Sequence, residues 1–363
     1  MSGTDEPGLA QSFRRLIAQH GPIPVARYMG ESNGRYYASR DPLGAAGDFT
    51  TAPEISQMFG EMVGLWLADI WVRASRPANA LYVELGPGRG TLARDALRAM
   101  ASQGWRPDVH LVEGSPALRT LQSQALAGAE LHDTIDTLPE NRPIFLVANE
   151  FLDALPIRQL VMTERGWRER MVALDERDEF VFAAGPNPMD DAVPQAQRAA
   201  QPGTIIETCP AAAALVDALA RRIDAQGGAA LFIDYGHLSA RTGSTLQALK
   251  RHEKVDVFAA PGGMDLTAHV DFATLRDIVS RAGLATATAT QGAWLEAMGI
   301  GLRAQALATR SPAQAKDIAS AHERLVHPEA MGDLFKVLAF SARDWPRGAG
   351  FDEGPSDRRK ESQ

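Results

Sequence analysis

The sequence predicts an α/β protein with a doubly wound, mostly parallel sheet, on the strength of two observations. The first is a strand–turn–helix pattern over residues 80–100, in which an apolar run leads through Glu84 into a glycine-rich turn and a helix-forming segment. The second is the alternation of helical patterns with segments typical of strands at residues 80–85, 108–113, 144–148 and 229–233. The segment 144–148 is a continuous apolar run, as expected for a parallel strand buried on both faces.

The turn contains Gly86, Gly88 and Gly90, spaced G-x-G-x-G. A residue without Cβ can adopt positive φ and lets the backbone approach a ligand closely. The dinucleotide fingerprint requires its third glycine where this chain has Thr91, which disfavours a nicotinamide oxidoreductase. Glu84, directly before the turn, would repel a pyrophosphate and suits a cationic amino group. The turn therefore favours S-adenosylmethionine, whose methionine half carries such a group.

Two further positions are predicted to contact this donor. Glu113 ends the second predicted strand, where a carboxylate can accept hydrogen bonds from ribose hydroxyls. Asn149 follows the strand 144–148 and would line the methionine end, and the loop 131–136 lies where an adenine ring would be contacted. The residues alone leave open a second interpretation, a tight strand-to-helix turn with two surface acids.

The composition limits the classes of function. The 363 residues are 45% hydrophobic and 23% charged with a net charge of −8, and no block of like charge suggests a nucleic-acid groove. One cysteine, Cys209, excludes an internal disulfide, and the histidines are scattered without ligand spacing, so no metal site is predicted. No apolar run is long enough to span a bilayer, and the acidic first residues do not resemble a signal peptide. We therefore expect a cytoplasmic protein.

Three regions are predicted along the chain. Residues 1–75 form an N-terminal helical and lid segment, in which Thr51–Glu54 has the form of a capping box. Whether this segment covers a cleft or simply caps the sheet is open. Residues 76–342 form the sheet domain, and residues 343–363 are a polar, disordered tail. The sheet domain carries a small antiparallel insertion at about 157–204 and a helical insertion at about 291–330.

Five motifs in order resemble the MidA-like family of class I S-adenosylmethionine-dependent methyltransferases. The resemblance extends from about residue 21 to residue 340. The family is related to a mitochondrial complex I assembly factor that is a protein arginine methyltransferase. The motifs are Gly47–Ser56, Glu84–Leu92, Asn149–Pro156, Ile233–His237 and Leu266–Phe272.

This resemblance implies a seven-stranded methyltransferase sheet. It implies that Gly86, Gly88 and Gly90 bind the donor, with Glu113 on the ribose side. It further implies a protein substrate, with symmetric dimethylation of an arginine on a complex I subunit as the mitochondrial precedent. A homodimer is a further expectation.

A guanidinium acceptor would need carboxylates that orient it and take up its proton. The candidates for this catalytic role are Glu150, Asp153 and Asp234. Asp48 and Glu54 could close over them, and Tyr235 and His237 could form the walls of the acceptor slot. Asp153 has a simpler alternative role as a helix cap. Two rival functions stay open at this point: methylation of a small molecule, and a non-catalytic assembly chaperone that keeps the fold.

Overall fold

The computed structural model describes residues 8–39, 51–250 and 253–351. The chain divides into two compact units that are each built from separate stretches. We call residues 1–50, 151–215 and 239–271 the hairpin unit. Residues 51–150, 216–238 and 272–363 are the sheet unit. This division differs from the predicted domain boundaries, because the chain passes from one unit to the other several times.

The described residues form helices that alternate with strands. The helices are α1 (Leu9–His20), α2 (Val25–Ser39), α3 (Ala52–Ile55), α4 (Gln57–Arg73), α5 (Thr91–Ser102), α6 (Pro116–Ala125), α7 (Pro210–Gln226), α8 (Phe272–Arg281), α9 (Gln291–Ala297), α10 (Ile300–Arg310) and α11 (Ala315–Val326). None of these described helices is both long and apolar enough to cross a membrane.

The strands range in length from two residues to the ten residues of the longest described strand, which belongs to the sheet unit. They are β1 (Ile23–Pro24), β2 (Leu81–Leu85), β3 (Asp108–Val112), β4 (Glu130–His132), β5 (Ile144–Asn149), β6 (Arg158–Thr163), β7 (Gly166–Leu174), β8 (Phe180–Pro188), β9 (Ile205–Thr208), β10 (Gly228–His237), β11 (Gln247–Lys250), β12 (Glu253–Val255), β13 (Asp265–Thr267), β14 (Val270–Asp271), β15 (Ala285–Thr290) and β16 (Phe335–Ser341).

The sheet unit is organised around a mixed sheet with the strand order β15-β16-β10-β5-β2-β3-β4. Its strands β10, β5, β2, β3 and β4 pair in parallel, and β16 runs antiparallel to both β10 and β15. The prediction of an α/β fold with a central sheet is confirmed. Parallel strands bring their carboxyl ends to one edge, which is where open α/β sheets bind ligands.

Helix α4 packs closely on α5 within the sheet unit. It is buried along most of its length, and its glycines face α5. A Cβ on Gly64 would lie 2.3 Å from the carbonyl oxygen of Ala96, and one on Gly60 would lie 2.7 Å from Asp95 Cβ. This approach places α5, which follows the glycine turn, firmly against the unit's apolar core.

The hairpin unit contains an antiparallel sheet of order β1-β7-β6-β9, with β8 on β7, and a small sheet of order β12-β11-β13. Strands β6 to β8 lie where the antiparallel insertion is predicted. Helix α1 buries Phe13 and Ile17 in the same apolar cluster as Val172. The amide of Asn33 on α2 donates to the carbonyls of Ala154 and Leu266, which joins three separate stretches of the chain.

Residues 34–37 lie within α2, where Tyr36 is completely buried and tertiary packing outweighs the weak helix propensity of glycine. One local prediction is wrong. The predicted capping box does not open the long helix. Thr51 makes no side-chain cap and precedes only the short α3, whereas α4 begins after Ser56, whose hydroxyl accepts the N–H of Met58.

Candidate active site

The glycine turn between β2 and α5 has the backbone conformation that the sequence predicts. Gly86, Gly88 and Gly90 have φ angles of 61°, 54° and 77°, in the left-handed region that side chains disfavour. The Gly86 N–H donates to the carbonyl of Val112, at 2.9 Å, and fixes the turn beside β3. A Cβ on Gly90 would lie 3.0 Å from Leu126 Cδ1. The turn therefore places backbone atoms that no side chain covers at the carboxyl edge of the sheet.

Glu113 lies just beyond β3 and is tied to this turn by Gln122. The Gln122 amide nitrogen donates both to the Gly88 carbonyl, at 2.8 Å, and to Glu113 Oε2, at 3.2 Å. Desolvation raises the pKa of Glu113, and hydrogen bonds from the Ser115 N–H and Gln122 oppose that shift. The predicted ribose acid and the predicted donor turn thus share one completely buried amide.

Glu84 is almost fully buried at the end of β2. Its Oε2 accepts a hydrogen bond from the hydroxyl of Tyr82, at 2.5 Å. Burial raises the pKa of Glu84 to about 7, although the bond from Tyr82 acts in the opposite direction. A nearby cation would favour the ionised carboxylate. Contact between Glu84 and the donor's amino group stays a prediction.

Asn149 and Glu150 lie at the carboxyl end of β5. Glu150 Oε1 accepts hydrogen bonds from the Ala52 N–H, at 3.0 Å, and from the Asn149 amide, at 3.2 Å. Glu150 has φ of 50°, a conformation that costs about 1–3 kcal/mol for a residue with a side chain and that occurs often at functional sites. Asn149 Oδ1 is buried with no hydrogen-bond partner among the described residues. Such an acceptor suits an incoming ammonium group.

Glu54 approaches the glycine turn from α3. Its Oε1 accepts a hydrogen bond from the Thr91 hydroxyl, at 2.6 Å, at the first residue of α5. Glu54 therefore does not close the predicted capping box but links α3 to the helix that follows the turn. Its predicted contact with the acceptor stays a prediction.

Asp234 lies in a different local setting from the one predicted. It was expected at the end of a strand, but β10 continues to His237 and the exposure of Asp234 is 1%. Its Oδ1 accepts the Tyr235 N–H, at 3.0 Å. The Tyr235 ring packs edge-on against Phe335, with centroids 5.5 Å apart. Tyr235 and His237 are partly buried, and their contact with an acceptor stays a prediction.

Asp153 belongs to the hairpin unit, whereas Glu150 and Asp234 belong to the sheet unit. The Asp153 carbonyl accepts the Ala268 N–H, and its carboxylate contributes to a raised pKa of Tyr37, after desolvation and Asp265. No helix directly follows Asp153 in the described chain, so its alternative role as a helix cap is wrong. Asp48 lies outside the described residues.

These features fit the donor that the sequence predicts. The left-handed glycines expose backbone, Glu113 offers a carboxylate for ribose, and Asn149 offers an unpaired acceptor for the methionine ammonium. All of these residues belong to the sheet unit. The residues that sequence reasoning missed are Gln122, Tyr82 and Ala52. Gln122 acts through a contact between separate segments and Ala52 through its backbone N–H, and a single sequence carries no signal for either. Tyr82 lies two residues before Glu84 on the same strand, so strand periodicity could have indicated that pair.

Comparison with known proteins defines the class. Residues 62–290 match a family model described as "Putative S-adenosyl-L-methionine-dependent methyltransferase". The chain is 32% identical to a Burkholderia thailandensis protein whose crystal structure holds S-adenosyl-homocysteine, with a TM-score of 0.81 over 95% of this chain and 93% of that one. The fold is that of an α/β methyltransferase, and the cofactor is S-adenosylmethionine.

The chain belongs to the MidA-like family of S-adenosylmethionine-dependent methyltransferases, and it is an enzyme of that class. It is 37% identical to the mitochondrial protein arginine methyltransferase NDUFAF7 of Xenopus laevis, covering 89% of this chain and 82% of that protein. It is 34% identical to the Homo sapiens protein of the same name, covering 89% and 81%.

These relatives correct one prediction. The cytoplasmic location expected from the sequence is wrong, because the curated relatives from Xenopus laevis, Drosophila melanogaster and Homo sapiens are named as mitochondrial proteins. Their names point to mitochondria instead.

Proposed function

We propose that this methyltransferase modifies arginine side chains of a protein, by symmetric dimethylation, and that a subunit of respiratory complex I is the acceptor to test first. Relatives named as protein arginine methyltransferases at 34–37% identity support the acceptor chemistry. Glu150 is the observation in the structure that carries the proposal, because a fixed carboxylate at this edge is what a guanidinium requires. Homodimerisation stays a separate prediction.

The conformation of Glu150 supports this role. A residue with positive φ is retained against its conformational cost when the surrounding structure determines it, and here the Ala52 N–H and the Asn149 amide both hold Glu150 Oε1. The side chain is thereby oriented before any acceptor binds. A carboxylate that is oriented in advance can pair with a guanidinium through two parallel hydrogen bonds.

Methyl transfer to a guanidinium requires few other groups from the protein. S-adenosylmethionine supplies a methyl group whose bond to sulfur breaks as the new bond to the acceptor nitrogen forms, which leaves a neutral thioether. The acceptor nitrogen must lose a proton, which a guanidinium with a pKa above about 12 does not do unaided. Glu150 would orient that nitrogen and accept its proton as the new bond forms. The glycine turn and Glu113 would hold the donor.

The test compares the wild-type chain with Glu150→Gln, which removes the charge and keeps the size. Both proteins are titrated with S-adenosyl-homocysteine by calorimetry and then incubated with labelled S-adenosylmethionine and separated complex I subunits. We expect equal affinity for S-adenosyl-homocysteine and a loss of turnover of about a hundredfold or more in the variant. Mass spectrometry should locate the label on arginine as symmetric dimethylarginine.

Two matched variants separate charge from conformation. Glu150→Gly relieves the left-handed strain but lacks the carboxylate, so it should be as inactive as Glu150→Gln, whereas the exposed Glu176→Gln should be fully active. Label on lysine or on a small molecule would contradict the proposed acceptor. Normal turnover by Glu150→Gln would remove Glu150 from the acceptor site.

A further inference from the structure

The parallel strands β3 and β4 bring together two histidines and a glutamate that the proposed acceptor chemistry does not use. One of them, His132, lies in the stretch 131–136 that is predicted to contact the adenine. His110 Nδ1 lies 2.9 Å from His132 Nε2 and 3.7 Å from Glu130 Oε2. The three ligand atoms all lie within 4.8 Å of one another. The expectation of no metal site rested on spacing along the sequence, and that spacing does not reveal a pair that meets across strands.

The hydrogen bonds around His132 fit one tautomer of its ring. His132 Nδ1 lies 2.9 Å from the Thr137 hydroxyl, which can donate to the Thr134 carbonyl, at 3.1 Å, while it accepts from the ring. In that tautomer Nδ1 is protonated, and Nε2 presents a lone pair towards His110. An imidazole whose other nitrogen donates to an oxygen is the usual arrangement of a metal-ligating histidine.

The separation of the two nitrogens fits adjacent ligands of one ion. Two bonds of about 2.1 Å place their ligand nitrogens about 3.0 Å apart at a right angle and about 3.4 Å apart at the tetrahedral angle that zinc prefers. The 2.9 Å between His110 Nδ1 and His132 Nε2 matches the right angle. A tetrahedral ion would require the two rings to move apart by about 0.5 Å. In the absence of an ion, His110 Nδ1–H donates to His132 Nε2. A metal ion can bind at His110 Nδ1 if the proton there moves to His110 Nε2. The His110 ring then stays neutral.

The surrounding charges leave one carboxylate for a cation. Arg142 pairs with Asp108, at 2.6 Å, and Arg119 pairs with Asp133, at 2.9 Å, so each of these two arginines has an acid of its own. Arg222, which also acts on His132, donates instead to backbone carbonyls of residues 135–139. The ion pair that the described residues give to Glu130 is with His110. The side chain of Glu130 is 69% exposed, which provides both a flexible third ligand and an entry path.

We propose that His110, His132 and Glu130 form a binding site for a divalent transition-metal ion of the zinc type. Two imidazole nitrogens and one carboxylate oxygen suit zinc, cobalt or nickel, and leave the remaining positions to water. The site is separate from the proposed acceptor chemistry and joins β3 to β4. Because an ion that binds only the folded chain stabilises it, zinc should also raise the melting temperature.

The test uses the full chain without an affinity tag, stripped of metal by a chelator. Zinc chloride is titrated by calorimetry, and cobalt chloride is titrated while the visible absorption of the ion is recorded. We expect one equivalent of either ion to bind. Glu130→Gln should weaken binding about tenfold, and His132→Gln should abolish stoichiometric binding and the cobalt absorption bands.

The exposed Glu140→Gln variant is the matched control and should bind zinc as the wild type does. Glu130 is also exposed, so Glu130→Gln tests the site even if His132→Gln fails to fold. Absence of stoichiometric binding by the wild type would overturn the proposal and leave a histidine–histidine hydrogen bond. Equal zinc affinity in the wild type and Glu130→Gln would overturn it as well.

Discussion

At the scale of single residues, the ionisation of Glu84 on β2 makes the free energy of unfolding depend on pH. Burial raises the pKa of Glu84 to about 7, whereas an unfolded chain would have its ordinary value near 4.5. The folded protein therefore binds one more proton than the unfolded chain between these two pH values. Because the folded state binds the extra proton, the free energy of unfolding falls as the pH rises through this window and is level above it.

Glu84→Gln should remove this loss of stability. Glutamine keeps an acceptor for the Tyr82 hydroxyl but cannot ionise, so the variant should gain up to about 3 kcal/mol over the wild type between pH 5 and pH 8. Urea unfolding at several pH values measures the difference, with Glu176→Gln as the control for loss of an exposed carboxylate. A stability difference that does not change with pH would show that Glu84 ionises normally in the folded protein.

At the scale of elements, the sequence predicts the helices and strands that are determined by the residue pattern within the element itself. The β2 strand, the glycine turn and α5 are predicted almost residue by residue, because apolar runs and glycine spacing reflect backbone requirements at those positions. The β4 strand was mistaken for part of a loop, since three residues carry too little periodicity to be recognised. The predicted end of β10 at Ile233 is too early, because Asp234 is a polar residue inside a buried strand.

The candidate site residues were chosen from the same local signals. The glycines, Glu113 and Asn149 are named from their positions at strand ends, and their contacts with the donor stay predictions. Gln122 could not be found, because its importance lies in a bridge between Gly88 and Glu113 that only the folded helix α6 creates. The left-handed conformation of Glu150 was equally hidden, since sequence patterns favour glycine or asparagine there.

The contact between α4 and α5 leads to a prediction about helix packing. Gly64→Ala places a methyl group 2.3 Å from the Ala96 carbonyl oxygen and 2.7 Å from its Cα, so the two backbones must move apart. We expect destabilisation of about 1–3 kcal/mol, the usual cost of overpacking. Calorimetric unfolding measures it.

The matched control is Gly34→Ala on α2, where a Cβ would meet no atom of the described residues within 4 Å. There the higher helix propensity of alanine should stabilise the protein by about 0.5–1 kcal/mol. Opposite signs for the two substitutions are the expected result. Equal or stabilising effects from both would show that α4 and α5 are not held in such close contact.

At the scale of the whole molecule, the residues predicted to bind the donor are confined to one of the two units. Glu84, Gly86, Gly88, Gly90, Glu113 and Asn149 all belong to the sheet unit, which the chain builds from three separate stretches. This discontinuous organisation could not be predicted from composition, because no linker marks the points where the chain leaves and re-enters the unit. Because the predicted donor-binding residues come from separate stretches, a measurement that covers the whole sequence can locate donor binding.

Hydrogen–deuterium exchange with and without saturating S-adenosyl-homocysteine provides that test. Because a bound ligand suppresses local opening of the backbone that surrounds it, exchange should slow at residues 84–91, 113–122 and 149–150. Strands β6 to β8 of the hairpin unit, residues 158–188, should exchange at the same rate in both samples. Gly88→Val, with a branched side chain at φ of 54°, should lose the protection while keeping the slow exchange of the central strands. Protection concentrated in β6 to β8, or protection that survives in Gly88→Val, would contradict the placement of the donor at the glycine turn.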